Sequence, residues 1–291
     1  MKNWFLALRP WSFTMSVVSV TVGVLWAWES GISWWLYALM LATIFFFHGA
    51  TNLMNDYFDI KNRIDSPDAP TVQYRPHPLA HEEISLEKAF WVASVLYVVA
   101  AAGGFYLTYL RGLPVLIIGL MGAVISLGYT KKPLAFKYRA LGELSVFLVW
   151  GPLAVQGAYY VETLSFSLPL LLVSVPVGML VSLVLLANNI RDESYDRKQN
   201  ILTIPVVLGG KNSRVLFVAM IVFCFVLLLV MSIVGPLSLW SLLVLLAVPP
   251  AVSVARMIYV KTPDDADARA AKLDTVFGIL LIVSLLLERF L

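Results

Sequence analysis

Two short acidic motifs in this sequence have the residue types and the spacing of a divalent-cation site. In the first, TNLMNDYFDIKNRID, the residues Asn52, Asp56 and Asp59 follow one another at intervals of four and three positions, and Asp65 comes shortly after them. Such spacing puts the three side chains on one face of a helix. Carboxylate oxygens are the ligands that Mg²⁺ prefers. We therefore expect Asp56 and Asp59 to be catalytic metal ligands, with Asn52 and Asp65 binding the substrate.

The second motif, NNIRDESYD, repeats this pattern far along the chain, with Asn188, Asp192 and Asp196 spaced four positions apart. Solvated helix ends often carry a single acidic pair, but here the pattern occurs twice, each time at the end of an apolar segment. Two facing carboxylate clusters can hold a diphosphate through bridging Mg²⁺ ions. We expect Asp192 and Asp196 to be catalytic metal ligands and Asn188 to bind the substrate.

Basic residues next to these motifs are candidates for binding the phosphate oxygens. In GYTKKPLAFKYRALGE, Tyr129 ends an apolar segment and Lys131 and Lys132 follow it. Lysine is a compact cation suited to phosphate. We predict catalytic roles for Tyr129 and Lys131 and substrate binding for Lys132, although these lysines also fit a purely topological role on the basic face of a membrane protein.

Three arginines complete the predicted substrate-binding set. Arg9 opens the first apolar segment, and Arg63 and Arg197 accompany the two acidic motifs. Arg9 would also be explained by a side chain that reaches out to the lipid headgroups.

Other polar residues receive weaker assignments. We expect His48, one helical turn before the first motif, to be a hydrogen-bonded packing residue inside the bundle. Glu143 is equally well explained by substrate positioning and by the favourable position of a carboxylate near a helix N-terminus. His77 and His81 have a spacing seen in zinc sites, but no cysteine or further histidine completes one.

The elements that must position these residues are transmembrane helices. The 291 residues are 60% hydrophobic and 13% charged, far more apolar than soluble domains. Segments of about 17 to 25 apolar residues are needed to cross the hydrocarbon core. Nine such spans are predicted, at residues 12 to 28, 34 to 55, 89 to 110, 113 to 129, 142 to 161, 168 to 190, 213 to 234, 237 to 256 and 273 to 290.

The basic residues predict the orientation of these spans. Of the 21 Lys and Arg residues, 19 lie at the N-terminus and in the loops on one face, and the other face has Arg111 and Arg289. The positive-inside rule makes the basic face cytoplasmic. We therefore predict a multi-pass protein of the plasma membrane with its N-terminus and active-site loops in the cytoplasm.

Several function classes find no support in the sequence. It contains neither a phosphate-binding P-loop nor a GxGxxG pattern, and its net charge of +3 comes from residues spread over membrane loops. We therefore expect no nucleic-acid binding, and we infer no obligate protein partner. Cys224 is the single cysteine and lies in an apolar run, so it fits helix packing.

Three stretches together resemble the UbiA superfamily of intramembrane prenyltransferases. They are NLMNDYFDIKNRID, GYTKKPLAFKYRALGELSVFLVWGPLAV and NNIRDESYDRK, and within the superfamily they look most like the 1,4-dihydroxy-2-naphthoate prenyltransferases of menaquinone biosynthesis. Two departures leave the acceptor open. The second motif is followed by QNILTIPVVLGG where that branch has a Gly-Lys-Arg-Thr-Leu type of run, and the loop DAPTVQYRPHPLA is also unusual.

The resemblance implies an all-α, polytopic membrane protein, with residues 1–291 forming one bundle of nine transmembrane helices whose cytoplasmic loops cap the active site. It implies Mg²⁺-dependent transfer of a polyprenyl group from polyprenyl diphosphate to an aromatic acceptor. In family members aromatic rings shield the allylic cation, which here suggests Tyr57, Phe58, Tyr129 and Trp150. Alternative acceptors are 4-hydroxybenzoate, a phenazine and a glycerol-phosphate lipid. Cyclisation of the prenyl chain is a further alternative, and a transporter is the alternative from another class.

Overall fold

The computed structural model describes residues 2–290, and the regular secondary structure in that range is helical, without a β-strand. The predicted domain, residues 1–291, extends one residue further at each end. The α-helices are α1 (Lys2–Leu8), α2 (Phe13–Trp26), α3 (Trp34–Lys61), α4 (Pro70–Tyr74), α5 (Leu86–Arg111), α6 (Leu113–Gly128), α7 (Gly142–Leu148), α8 (Ala154–Thr163), α9 (Leu168–Lys198), α10 (Ile204–Leu208), α11 (Gly210–Ile233), α12 (Val248–Val260) and α13 (Ala266–Phe290).

Eight helical segments in the described range are long and apolar enough to cross a membrane. They are Lys2–Trp26, Trp34–Lys61, Leu86–Arg111, Gly142–Thr163, Leu168–Lys198, Gly210–Ile233, Leu239–Val260 and Ala266–Phe290. The remaining predicted span corresponds to α6, which is apolar but has only 16 residues. At a rise of about 1.5 Å per residue α6 falls short of a core about 30 Å thick. The prediction of a polytopic all-α fold is confirmed, whereas the count of nine spans is not.

The helices that carry the acidic motifs extend beyond the predicted spans. We placed the ends of those spans at residues 55 and 190, but α3 continues to Lys61 and α9 to Lys198. The Asp and Asn side chains at these polar ends contact loops and basic side chains, as described below. Asp56, Asp59, Asp192 and Asp196 therefore sit on rigid helix rather than in loops.

The main hydrophobic core lies around α9. Buried side chains of α9 pack against those of α11 and α13, with Leu183, Phe217, Leu228, Phe277 and Leu281 almost fully enclosed. Helix α5 and helix α6, in contrast, leave many apolar side chains exposed. This exposure is expected of helices that face lipid, where hydrocarbon replaces water as the solvent of the surface.

Close backbone contact fixes α9 against the continuous helix that begins with α7. That helix continues through a π-helical segment, Val149–Leu153, which contains Gly151. A Cβ atom added to Gly178 of α9 would lie 2.5 Å from the carbonyl oxygen of Phe147 and 2.7 Å from the Cα of Gly151. Glycine is required here because the two backbones touch.

Three loops, those after α3, α6 and α9, close over the same end of the bundle. The backbone N–H of Leu202 donates to the carbonyl of Tyr138 at 3.3 Å, which ties the loop after α6 to the loop after α9. The hydroxyl of Tyr195 on α9 donates to the carbonyl of Ile64 at 2.6 Å and pairs with Ser66 at 2.9 Å. The loop after α3 is therefore bound directly to the helix that carries the second motif.

We expect Gly178→Ala to lower the thermal midpoint of the detergent-solubilised protein by about 5 °C, because the added methyl group overpacks a backbone contact. Gly119→Ala on α6 is the matched control, since nothing lies within 4 Å of a Cβ atom at that position. It should leave the midpoint unchanged or raise it slightly. Equal midpoints for the two variants would contradict the close contact.

Candidate functional site

Both acidic motifs border one polar cavity at the loop-covered end of the bundle. The cavity has a volume of about 580 Å³. Asp59, Asp192 and Asp196 line it, together with Arg9 and Lys137. Asp56 is buried and contacts Arg9, so it belongs to the same site. Carboxylates from two helices and basic side chains from two further segments therefore meet around one space.

Asp56 is surrounded by three basic side chains. The guanidinium of Arg9 forms an ion pair with it, and that of Arg75 lies 3.9 Å away. The Nε2 atom of His77 lies 3.6 Å from the same carboxylate oxygen. Burial and the nearby Arg9 lower the pKa of Arg75 to about 10, which leaves it charged at neutral pH.

His77 joins two carboxylates of the first motif. Its Nδ1 atom accepts a hydrogen bond from the backbone N–H of Ala80 at 3.2 Å, so in the neutral ring the proton resides on Nε2. That N–H points to Asp65, with Nε2 and the carboxylate oxygen 3.1 Å apart. The ligand atoms of Asp56, Asp65 and His77 lie within 4.8 Å of one another, but this tautomer makes His77 a donor that orients Asp65. His81 is exposed and does not join this cluster.

The low pKa of Asp65 reflects this environment. Burial raises the pKa of its carboxyl group, whereas the hydrogen bond from His77 and the positive charges of Lys137 and Arg75 lower it, and the net result is a pKa of about 2. Asp65 is therefore an anion at neutral pH, deep in the loop that follows α3.

Asp59 is held by the loop after α6. Lys137 Nζ lies 2.5 Å from one carboxylate oxygen, and the hydroxyl of Tyr138 donates to the other. Burial alone would lower the pKa of the Lys137 ammonium group, but Asp59 beside it raises that pKa well above the ordinary value. The loop thus places a permanent positive charge in the cavity.

The second motif has different partners. Arg191 holds Asp192 with two hydrogen bonds, at 2.7 and 2.9 Å, and donates to the side-chain oxygen of Asn188 at 2.6 Å. Arg191 also reaches Asp267 at the start of α13, at 3.3 Å. Asp196 accepts a hydrogen bond from Thr203 at 3.2 Å. Asn188 lines the cavity.

The structure brings some predicted side chains to the cavity and leaves others outside it. Arg9, Asn52, Asp65 and Tyr129 line the cavity. The predicted residues that are exposed and absent from its lining are Arg63, Lys131, Lys132 and Arg197. Arg197 pairs with Glu193 one turn earlier on α9, at 3.0 Å.

The residues that the sequence interpretation missed are mostly the basic partners of the carboxylates. They are Arg75, His77, Lys137 and Arg191. Arg191 was the easiest to find, because it stands directly before Asp192. Lys137 had no comparable signal, since the loop folds back so that the Lys137 backbone N–H donates to the carbonyl of Tyr129 at 2.8 Å.

Aromatic side chains divide between the polar cavity and its surroundings. Trp150, in the π-helical segment, and Tyr129 line the polar cavity. Phe58 lines a second cavity, whereas Tyr57 contacts Phe90, with the two rings tilted, in a small core between the end of α3 and the start of α5. Of the four rings suggested by the resemblance, two therefore face the charged site.

The second cavity is apolar and adjoins the first. It has a volume of about 630 Å³ and lies among α3, α5, α6 and α8. Phe47 and Val149 line both cavities, so they form part of the wall between them. Lys131 is at the border of this second cavity.

The donor set of the polar cavity fits a hard divalent cation. Asp56, Asp59, Asp192 and Asp196 supply carboxylate oxygens from two helices, and Mg²⁺ takes oxygen ligands at such sites together with substrate phosphates. All four carboxylates are buried, so they depend on positive charge for compensation. An anion with several oxygen atoms could bridge cations held by the two carboxylate clusters.

Comparisons with known proteins agree with this geometry. A model of the UbiA prenyltransferase family matches residues 16–281. The chain is 30% identical over 288 residues to UbiA prenyltransferase domain-containing protein 1 of Xenopus tropicalis, covering 98% of this chain and 82% of that protein. It is 28% identical over 287 residues to 1,4-dihydroxy-2-naphthoate octaprenyltransferase of Bacillus subtilis (strain 168), covering 97% of this chain and 91% of that protein.

A solved structure shows that the fold is shared. The UbiA homolog from Archaeoglobus fulgidus bound to GPP and Mg²⁺ matches with a TM-score of 0.67, covering 97% of this chain and 99% of that one, at 12% sequence identity.

We expect Lys137→Ala to weaken the binding of inorganic pyrophosphate in the presence of Mg²⁺ by about tenfold, because it removes a charge-assisted contact inside the cavity. Lys131→Ala should have a much smaller effect, since Lys131 lies outside the polar cavity. The exposed Lys198 provides a control for loss of one positive charge at this face. Calorimetric titration of the purified variants measures the difference, and a larger loss in Lys131→Ala would favour the role predicted from sequence.

Proposed function

Because the chain belongs to the UbiA prenyltransferase family, we propose that it transfers a polyprenyl group from polyprenyl diphosphate to 1,4-dihydroxy-2-naphthoate in menaquinone biosynthesis. One observation carries the proposal: the polar cavity, which both acidic motifs border, adjoins an apolar cavity of similar size. A donor with a diphosphate head and a hydrocarbon tail has the same division of polarity. The Bacillus subtilis relative, named for this acceptor, supports the choice of acceptor.

Mg²⁺ is the proposed cofactor, held by Asp56, Asp59, Asp192 and Asp196. When bound there, the ions would offset the charge of the diphosphate and make it a better leaving group. Asn52 and Asn188 lie one turn before the first aspartate of each pair and complete the polar rim.

The basic side chains around the carboxylates bind the phosphate oxygens in this proposal. Arg9, Arg75 and Arg191 offer planar guanidinium groups that match two phosphate oxygens at once, and Lys137 offers a compact ammonium group. We assign to Lys137 the role that the sequence suggested for Lys131, because Lys137 is the lysine that lines the cavity. In the free protein Arg9, Lys137 and Arg191 are bound to these carboxylates, so the charges that receive the donor are assembled before it binds.

The two cavities separate the reacting carbon from water and give the tail a place. The rings of Tyr129 and Trp150 face the polar cavity, where they shield the allylic cation through their π faces. The prenyl chain lies in the apolar cavity among α3, α5 and α6. The acceptor enters the polar cavity next to Trp150. The carbon–oxygen bond to diphosphate breaks, the electron-rich ring attacks the allylic cation to form a carbon–carbon bond, and the ring recovers its aromaticity by losing a proton or carbon dioxide.

The proposed location is the plasma membrane, with the N-terminus and the loops over the site in the cytoplasm, as the distribution of Lys and Arg suggests. The whole chain acts as one prenyltransferase domain in this proposal. The carboxylates cluster at one end of the bundle, which argues against a transporter, because carrier sites lie near the bilayer midplane.

The decisive test is the release of diphosphate by the purified protein supplied with Mg²⁺, a polyprenyl diphosphate and a panel of acceptors. We expect release that depends on 1,4-dihydroxy-2-naphthoate and stops with EDTA. Dependence on 4-hydroxybenzoate, a phenazine or a glycerol-phosphate lipid would keep the reaction class and overturn the proposed acceptor. Release of diphosphate that does not depend on any acceptor would contradict the proposal. Absence of release under every condition would contradict it as well.

Asp56→Asn and Asp192→Asn should each reduce this activity at least about a hundredfold, because each removes one metal-binding charge without changing the size of the side chain. Glu193→Gln is the matched control, since Glu193 is on the same helix end as Asp192 and pairs with Arg197 outside the cavity. Thermal unfolding in detergent shows whether each variant is folded. A folded Asp56→Asn or Asp192→Asn protein with full activity would rule out the metal-binding role.

Filling the apolar cavity should discriminate between donors of different length. Ala123 on α6 lines that cavity, and its neighbour Val124 is exposed and outside it. We expect Ala123→Phe to lower kcat/KM for an octaprenyl donor about tenfold relative to GPP, because the larger ring takes the space of the distal tail. Val124→Phe should leave the ratio unchanged, and an unchanged ratio in both variants would place the tail elsewhere.

A further inference from the structure

The turn between α1 and α2 holds Arg9 in an unusual conformation. Arg9 has φ 53° and ψ 56°, the left-handed region that residues with a Cβ atom seldom adopt. Such outliers persist where the surrounding structure holds them in place, and they concentrate at functional sites. From this position the Arg9 side chain reaches Asp56 and lines the polar cavity.

Hydrogen bonds hold the backbone on both sides of Arg9. The carbonyl of Leu8 accepts from the side-chain amide of Asn52 at 2.9 Å. The carbonyl of Arg9 accepts from the backbone N–H of Ser12 at 2.9 Å and from the Ser12 hydroxyl at 2.8 Å. Ser12 is therefore the side chain that binds the backbone of the left-handed residue Arg9.

Ser12 is in turn held by His48. The Nε2 atom of His48 lies 3.1 Å from the Ser12 hydroxyl oxygen, and its Nδ1 atom lies 2.8 Å from that of Ser16. The single proton of the Ser12 hydroxyl is donated to Arg9, so Ser12 must accept from His48. The Nε2 atom of the ring therefore carries a proton, and in the neutral ring Ser16 donates to Nδ1.

Packing fixes the orientation of the imidazole ring as well. His48 is buried, with its ring centroid 4.6 Å from that of Trp150 and 5.1 Å from that of Phe13. The expectation of a hydrogen-bonded packing residue is confirmed. Both ring nitrogens are occupied by serine hydroxyls, so His48 has no free nitrogen to offer a ligand in the cavity.

We propose that His48 is a positioning residue that holds Arg9 at the diphosphate site through Ser12. The proposal rests on the proposed function, in which Arg9 binds the donor diphosphate. His48, Asn52 and Asp56 follow at four-residue intervals on one face of α3. The same helix therefore positions the carboxylate of Asp56 and the turn that carries Arg9. His48 lines the polar cavity, but both of its ring nitrogens are bound to serine hydroxyls, so in this proposal it acts on the donor through Arg9.

Two substitutions of His48 separate this role from simple packing. His48→Leu keeps a side chain of similar size without hydrogen bonds, whereas His48→Gln retains an N–H donor that can reach Ser12. We expect His48→Leu to raise KM for polyprenyl diphosphate about tenfold with kcat changed less than about threefold, because uniform binding of the donor is lost. His48→Gln should recover most of the affinity. Equal KM values for wild type and His48→Leu would overturn the proposal.

A double-mutant cycle with Arg9→Ala tests whether His48 acts through Arg9. In the Arg9→Ala background, His48→Leu should change KM less than about twofold, because the side chain that it positions is gone. Independent effects that multiply in the double variant would show a role unrelated to Arg9 and overturn the proposal. Should His48→Leu fail to fold, as judged by thermal unfolding in detergent, Ser12→Ala replaces it in the same cycle.

The cycle can also be measured without turnover. Its second readout is the affinity for inorganic pyrophosphate in the presence of Mg²⁺. If the wild-type protein transfers no prenyl group to any acceptor, the proposed function fails, while coupling between His48 and Arg9 in pyrophosphate affinity would still support the positioning role. Absence of coupling in this readout overturns the inference even if the prenyl transfer activity is established.

Discussion

Buried carboxylates at the end of a membrane bundle must be matched by positive charge, and this constraint organises the site. Removing an isolated carboxylate from water costs several kcal/mol even after relaxation. Asp56, Asp59 and Asp192 are each met by a basic side chain, namely Arg9, Lys137 and Arg191. Arg9 and Lys137 lie far along the chain from Asp56 and Asp59, so satisfying these two carboxylates also brings distant segments together, whereas Arg191 and Asp192 lie on the same helix.

In the proposed function the same pairs serve binding as well as folding. An arginine or lysine that neutralises a carboxylate in the free protein lies where a phosphate oxygen would arrive, and the carboxylate lies where a cation would arrive. Hydrogen bonds from neutral groups complete the arrangement: His77 orients Asp65, and Tyr138 binds Asp59 beside Lys137. A site built in this way is organised before its ligands bind, which keeps the reorganisation during reaction small.

The division between two cavities explains why the charged chemistry is set into a membrane bundle. Polar atoms concentrate where α3 and α9 meet the loops, and the adjoining apolar cavity lies among helices whose outer surfaces are exposed and apolar. Phe47 and Val149 face both spaces. A ligand with a charged head and a long hydrocarbon tail meets a suitable environment at each end, and the tail exchanges one apolar surrounding for another.

The helical class, most of the spans and the faces on which the acidic residues lie follow from the amino-acid sequence alone. These features depend on composition and on spacing along one helix, so the relation of Asn52, Asp56 and Asp59 follows from the helical period alone. Local spacing could not show which lysine enters the cavity, and Lys137 rather than Lys131 lies there.

The pairing of the distant charges, in contrast, depends on how the chain folds. Lys137 and Asp59 are 78 positions apart, and their contact depends on a loop that folds back and is tied to Leu202. Arg9 contacts Asp56 across 47 positions. The contact depends on a left-handed turn at Arg9, where the sequence has no glycine to predict such a conformation. Periodicity acts over one or two helical turns, whereas the compensation of buried charge acts between whichever groups the packed helices bring together, and so it became visible only in the folded chain.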